Sequence, residues 1–375
     1  MENMTKRIAL LDILRGFAVL GTLGTNIWIF AHLGDLTVIT TFHQNTWWNF
    51  DDFLRMLILF LVNGKLLGLL TIMFGVGLEL KYRQALRKGN TWPGVYIWTS
   101  LFLMAEGLMH FLFVMEYDIL MSYGITAIIV AIIVKKGDKW IKYTMQVIGS
   151  LFIAVVLLIF IVSLNAQVSL GSFHDVISLY QNGTWFDQVQ YRINNLLPLR
   201  IEAIFIIPMN IFLFLLGVRL MRIGAFSPHE HGKKIRSRFV KIALLIGVPL
   251  NLLIFVPGGL FDLPVRYVFA PILSIGYIGL ISIVVEKWEH FWLWKRLENV
   301  GKMSLSIYVT QNIIASILFY GWGIGLGGNL HSFTIILIWF MICIFLILFA
   351  TLWLKKFQFG PVETVRKIIL SGVKK

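Results

Sequence analysis

The strongest constraint on this chain is a repeating length. Ten apolar stretches, most about twenty residues long, lie between charged clusters, near residues 8–31, 53–82 (interrupted), 93–114, 118–134, 140–164, 199–221, 239–257, 262–286, 303–323 and 331–354. A bilayer core about 30 Å thick takes about 20 apolar residues per helical span. No water is there to satisfy the backbone, so unbroken runs of this length fold as helices that close their own hydrogen bonds. Composition agrees: 58% of residues are hydrophobic, 14% are charged and the mean hydropathy is +0.80, outside the soluble range. The expectation is an all-α polytopic membrane protein, a single transmembrane domain over residues 1–375 with about ten helices. Lys6 and Arg7 precede the first run as they would in a signal peptide, but Asp12 and Arg15 interrupt it and no small-residue cleavage site follows, so it is read as a true span. Cys343 is the only cysteine, which excludes an intramolecular disulfide.

The net charge of +14 belongs to topology rather than to nucleic acid. Lys6, Arg7 and the segments 81–92, 135–142, 219–241, 287–302 and 355–375 hold 27 of the 33 Lys and Arg residues. Basic residues collect on the cytoplasmic side of membrane proteins, so both termini are expected there. Segments 32–52, 165–198 and 323–330 then face outward. The loop 165–198 reads as short amphipathic helices along the membrane, with Trp185 and Tyr191 at headgroup level, over the outer mouth of the bundle. "GWGIGLGG" at 321–328 reads as a turn that permits close packing.

Six cations remain: Arg15, Arg55, Lys65, Arg192, Arg200 and Arg266. Arg192 falls in the long outer loop and reads as an ordinary loop residue. A charge at membrane depth costs about 3 kcal/mol or more unless paired or wet. Helical spacing offers Asp12 to Arg15, Asp51 or Asp52 to Arg55, and Asp262 to Arg266, and nothing to Lys65 or Arg200. Lys65 follows Asn63 and Gly64 inside "FLVNGKLLGLL", which reads as a break between two half-helices. Glu106 and His110 share a face of the third span, and Asp118 opens the fourth, so Lys65 is expected to be compensated by Glu106 or Asp118 across a polar cavity. Asp12, Arg15, Val19, Thr22 and Asn26 recur every three or four residues, one stripe along the first helix.

In order and spacing, "RIALLDILRGFAVLGTLGTNI", "NGKLLGLLTIMFGVG", "EGLMHFLFVMEYDILMSYGI", "VGKMSLSIYVTQNIIASILFYGWGIG" and "FGPVET" resemble the landmarks of the YeiB family of bacterial membrane proteins, a domain of unknown function. The resemblance spans essentially the whole chain. Through the D-x-x-R-G opening and the Asn near the end of the first helix, that family is similar to the transmembrane acyltransferases that include heparan-α-glucosaminide N-acetyltransferase. The resemblance implies a ten-helix bundle in a bacterial plasma membrane that moves an acyl group, acetyl above all, from cytoplasmic acyl-CoA to a hydroxyl or amine at the outer face. The marked positions fall on Asp12, Arg15, Gly16, Asn26, Lys65, Gly75, His110, Asp118, Tyr123, Ser304, Tyr308, Gln311, Glu363 and Arg366. The chain departs from the pattern in "VYIWTS" where an Arg pair is usual, in Leu66 and Leu67 where Arg and Phe are usual, and in Thr364 where Trp is usual.

Such chemistry needs a base, oxyanion donors and a grip on an anionic carrier. His110, oriented by Glu106 or Asp118, is the first candidate base, and His32 and His43 in the first outer loop are the alternatives. Asn26 and Lys65 are candidate donors. Among the basic residues of the cytoplasmic mouth (Arg15, Lys81, Arg83, Arg219 and Arg222), Arg15 and Arg219 stand out as candidate carrier contacts, with Asp12, Arg200, Tyr123, Ser304, Tyr308 and Gln311. No cofactor is expected to be held permanently, acyl-CoA being a co-substrate. The consecutive His-Glu-His of "SPHEHGKK" lacks metal-ligand spacing. Expected partners are membrane lipids, a carbohydrate, lipid or small-molecule acceptor and a second copy in a homodimer, and not nucleic acid. The alternative function is a secondary transporter or permease for a small polar or anionic solute, since a broken helix and intramembrane charge also belong to that class. A non-catalytic scaffold ranks last.

Overall fold

The structure, a computed structural model, describes residues 2–41, 49–165 and 173–372. Among the described residues, eight helices are long and apolar enough to cross a membrane: Ala9–Ala31, Phe50–Arg87, Val95–Phe113, Asp138–Leu164, Leu196–Arg222, Glu230–Phe255, Asp262–Lys287 and Ser332–Lys356. Two shorter apolar helices, Leu120–Lys135 and Ser304–Phe319, stand in the remaining two predicted places. Numbered along the chain, these are the first to tenth spans, and the protein is an all-α polytopic membrane protein. The fourth and ninth spans, of 16 residues each, reach only about 24 Å at 1.5 Å per residue. An irregular turn precedes Leu120, and another turn follows Phe319.

The first span is the axis of the bundle. Leu14, Ala18, Leu23, Trp28 and Phe30 on its different faces are all inaccessible, whereas Leu151 and Leu158 of the fifth span face outward, as lipid contacts do. Helix Trp292–Lys302 crosses the first span backbone to backbone: a Cβ on Gly16 would lie 2.1 Å from the Leu297 carbonyl oxygen, and one on Gly301 would lie 1.9 Å from that of Asp12. Gly75 and Gly217 bring the second and sixth spans equally close, against the carbonyls of Phe214 and Ile72. Without a hydrophobic drive between helices in lipid, close approach at small residues supplies much of the association energy.

The second span breaks where expected, between Phe50–Val62 and Lys65–Arg87, because Gly64 takes φ +75°, a conformation that ends a right-handed helix. The seventh and eighth spans each contain a five-residue π-helical stretch, Ala243–Gly247 and Val265–Phe269. Asn251 Nδ2 donates to a carbonyl in each, Gly247 at 2.8 Å and Phe269 at 2.9 Å.

Charge pairs tie the helix ends together. At the basic end, Glu79 accepts from Arg83 at 2.8 Å and Arg222 at 2.9 Å, and Arg222 also reaches Asp138, which joins the second, fifth and sixth spans. Arg236 and Glu286 join the seventh and eighth. Two sequence expectations are corrected at the far end. Arg192 is no surface loop residue: it is 1% exposed and pairs with Glu116 at 3.2 Å, while the Tyr180 hydroxyl donates to the same carboxylate at 2.6 Å. Arg266 pairs with Glu202 at 3.1 Å rather than with Asp262, whose carboxylate holds the Thr41 amide at 2.7 Å. Arg200, without a partner by spacing, donates to the Asp118 carbonyl. Arg15–Asp12 and Arg55–Asp52 pair at 2.8 Å, while Asp51 accepts from the Ser332 amide.

Helices His174–Asn182 and Trp185–Asn194 stand in the loop 165–198, separated at a Thr184–Asp187 capping box. They are fixed to the bundle by the Arg192 pair, by the Trp185 indole on the Phe113 carbonyl at 3.0 Å, and by the Gly321 amide on the Tyr180 carbonyl at 2.9 Å.

Two stability outcomes follow, both read as thermal unfolding midpoints in detergent. Gly301→Ala forces the first span and helix Trp292–Lys302 apart and costs about 1–3 kcal/mol of overpacking, against little change for Gly77→Ala, where an added Cβ meets only Arg15 at an ordinary 3.8 Å. Arg192→Met strands Glu116 and costs about 3–5 kcal/mol, whereas the double variant Arg192→Met/Glu116→Met recovers most of the loss because no buried charge is left alone.

Candidate functional site

The third span ends at Phe113, and the irregular turn that follows carries the chain back so that Asp118, at the entry to the fourth span, faces His110. His110 Nδ1 lies 3.1 Å from Asp118 Oδ1, close enough for an ion pair though off the line of a hydrogen bond. Both side chains are at most 1% exposed. Asp118 is itself held from two sides: Oδ2 accepts the Met121 amide at 3.1 Å, and Arg200 donates to its backbone carbonyl at 2.6 Å.

On the other side of the ring, His110 Nε2 is 3.2 Å from Asn312 Nδ2 of the ninth span, and Asn312 Oδ1 accepts from Asn26 Nδ2 of the first at 3.4 Å. The directions are mutually consistent: the Asn26 amide donates to Asn312, Asn312 donates to Nε2, and the Nδ1 proton faces the carboxylate. Tyr308 stacks obliquely on the imidazole, ring centroids 5.2 Å apart. One turn below Asn26, Gln311 Nε2 donates to the Thr22 hydroxyl at 3.3 Å.

This polar line borders two cavities near the end of the bundle opposite the basic connections. The larger, about 50 Å³, is lined by Thr22, Asn26, Asn63, Gly64, Tyr308, Glu202 and Arg266 among others. The smaller, about 10 Å³, touches Asp118, Ser122, Arg200 and Glu202. Glu202 lies in both walls, paired with Arg266 and accepting the Tyr267 hydroxyl. A cavity of the smaller size holds about one water and the larger a few.

Of the sequence candidates, the fold unites Asn26, His110, Asp118, Arg200, Tyr308 and Gln311. Tyr123 sits one layer away, its hydroxyl 2.6 Å from that of Thr71. Asp12, Arg15, Arg219 and Ser304 are at the basic end, far along their helices from this line. Glu106 does not orient His110: its carboxylate oxygens are buried without a hydrogen-bond partner. Lys65 is not compensated by Glu106 or Asp118. It is fully buried, its Nζ has no hydrogen-bond partner among the described residues, and the Phe60 ring centroid is 5.7 Å away. His32 ends the first span with Nδ1 on the Trp28 carbonyl at 3.0 Å; burial holds its pKa below the ordinary value, and Arg55 adds to the effect. His43 lies outside the described residues. Among the described residues, no group of His, Cys, Asp and Glu could hold a metal ion.

Sequence reading missed Asn312, Glu202 and Glu116. Asn312 continues the four-residue series Ser304, Tyr308, which was the available signal. Glu363, carried over without a role, is a cap supplied from outside the helix it caps. Its Oε1 accepts the amides of Leu305 at 3.0 Å and Ser306 at 3.3 Å, and the Ser306 hydroxyl meets Oε2, so helix Pro361–Gly372 closes the start of the ninth span.

Comparison with known proteins finds likenesses along the whole chain. Residues 220–372 match the family described as protein of unknown function DUF418. The chain is 25% identical to the uncharacterized protein YxaH of Bacillus subtilis (strain 168) over 96% of its own length and 92% of the relative's. It is 28% identical to the uncharacterized protein YeiB of Escherichia coli (strain K12) over 96% and 94%. A 39.9 kDa protein of Bacillus acidopullulyticus, also uncharacterized, is 26% identical over 98% and 94%. No solved structure matches the chain. With its full-length likeness to YeiB and YxaH and its match to DUF418 over residues 220–372, the chain is similar to the YeiB proteins, a group of uncharacterized proteins.

Proposed function

We propose that the chain is a transmembrane acyltransferase of a bacterial plasma membrane, moving an acyl group, acetyl above all, from acyl-CoA on the cytoplasmic side to a hydroxyl or amine acceptor at the outer face. The observation that carries this reading is the line Asn26, Asn312, His110, Asp118 beside a water-sized cavity. The basic connections set the orientation, with both termini in the cytoplasm.

In this reading His110 Nε2 takes the proton as the acceptor oxygen or nitrogen attacks the thioester carbonyl. Asn312 turns its amide from Nε2 to the oxyanion, beside Asn26, and supplies donors where negative charge develops. The carbon–sulfur bond then breaks, and the thiolate leaves with the proton that His110 took up. Asp118 holds the ring in place beside the reacting edge. The off-line His110–Asp118 contact is of the kind that tightens when substrate binds. A pantetheine arm exceeds the cavity, so turnover also requires the first, third and ninth spans to part around it.

Lys65 favours a second reading, as a secondary transporter for a small polar or anionic solute, because a buried amine without a partner beside a broken helix is a feature of such sites. One experiment separates the two. Protein in nanodiscs given acetyl-CoA and candidate acceptors is expected to release free thiol, with His110→Ala and Asp118→Asn slowing release by about 10²–10⁴-fold and Lys65→Met by less. Absence of thiol release in nanodiscs, together with solute accumulation in proteoliposomes that Lys65→Met abolishes, establishes transport instead.

A further inference from the structure

The larger cavity has a charge balance that bears on what it receives. Its wall carries the carboxylate of Glu202 and the guanidinium of Arg266, 3.1 Å apart and so neutralising one another. Glu202 is further occupied by the Tyr267 hydroxyl. The other polar lining residues, Thr22, Thr25, Asn26, Asn63, Tyr117 and Tyr308, are uncharged. Among them Asn63 is 4% exposed, donates through Nδ2 to the Ile39 carbonyl, and has an Oδ1 without a hydrogen-bond partner among the described residues.

The ion pair is built into the wall. Gly64 at the break in the second span is pressed against the π-helical stretch that carries Arg266: a Cβ there would lie 2.6 Å from the Arg266 carbonyl oxygen and 2.9 Å from Ala270 Cβ. A cation entering the cavity meets Arg266 and finds the carboxylate already engaged; an anion meets Glu202 and finds the guanidinium engaged. Either loses hydration without gaining a free counter-charge. A neutral hydroxyl instead donates to Asn63 Oδ1 and accepts from amide or hydroxyl donors beside it.

We infer that the cavity selects an uncharged hydroxyl compound over amines and anions, with the Glu202–Arg266 pair as the excluding element. That this compound is the acyl acceptor rests on the acyl-transfer reading; its selection by the cavity does not. Three probes on one skeleton test it: glycerol, 3-amino-1,2-propanediol and glycerate, with binding measured by calorimetry on the detergent-purified protein and thiol release followed in parallel. Glycerol is expected to bind about tenfold more tightly than either charged probe. Arg266→Gln is expected to shift preference about tenfold toward the aminodiol and Glu202→Gln toward glycerate, an uncompensated wall charge now attracting its opposite. The double variant Glu202→Gln/Arg266→Gln, again neutral, is expected to retain glycerol binding. A wild-type protein that binds a charged probe as well as glycerol, or binds none of the three, overturns the inference, as do folded single variants with unchanged selectivity. Glycerol binding without thiol release from acetyl-CoA leaves the hydroxyl site standing and removes the acyltransferase reading.

Discussion

Asp118 is the residue on which the far half of the molecule depends. A carboxylate this deep survives only if its neighbours replace the water it has lost. The Met121 amide does so with a hydrogen bond, and the Arg200 guanidinium at 3.9 Å and the His110 ring at 3.1 Å do so electrostatically from two other directions. Each of these contacts fixes something else. The first starts the fourth span, the second anchors the entry to the sixth, and the third sets the plane of an imidazole whose opposite edge meets the ninth and first spans through Asn312. Because one residue ties three spans together and reaches two more through His110, the geometry around His110 is a property of the bundle rather than of the helix that carries it.

The apolar lengths in the sequence were enough for the ten apolar helices, eight of them long enough to span a membrane, and Gly64 for the break in the second, because both are local consequences of backbone chemistry. Ion pairs within one helix were legible for the same reason: Asp12–Arg15 and Asp52–Arg55 follow from a three-residue spacing. Pairs between helices were not. Arg266 chose Glu202 over the nearby Asp262, and Asp262 was taken by the Thr41 backbone, a residue 221 positions away. No periodicity carries such a choice, since it depends on which helices pack side by side.

The site was legible to the same degree. His110 and Asp118 stood out as intramembrane polar groups, yet nothing within the third span distinguishes the acid four residues before the histidine from the one eight residues after it. The turn after Phe113 decided between them by folding back. Asn312 was hidden beside Gln311, its neighbour on the helix but not on the face. Arg192 was misread because a loop position ordinarily means exposure, whereas this loop is two helices with a buried seam of Glu116 and Tyr180.

The cap that Glu363 places on the ninth span has a consequence for the order of events during synthesis. The amides of Leu305 and Ser306 wait for a carboxylate made 57 and more residues later, after the tenth span has been translated. Until then the helix carrying Tyr308 and Asn312 begins with open donors in a dry setting and has no fixed start. The polar line through His110 is therefore completed only when helix Pro361–Gly372 docks, so a nascent chain inserted up to its tenth crossing is threaded through the bilayer but not yet furnished with its site.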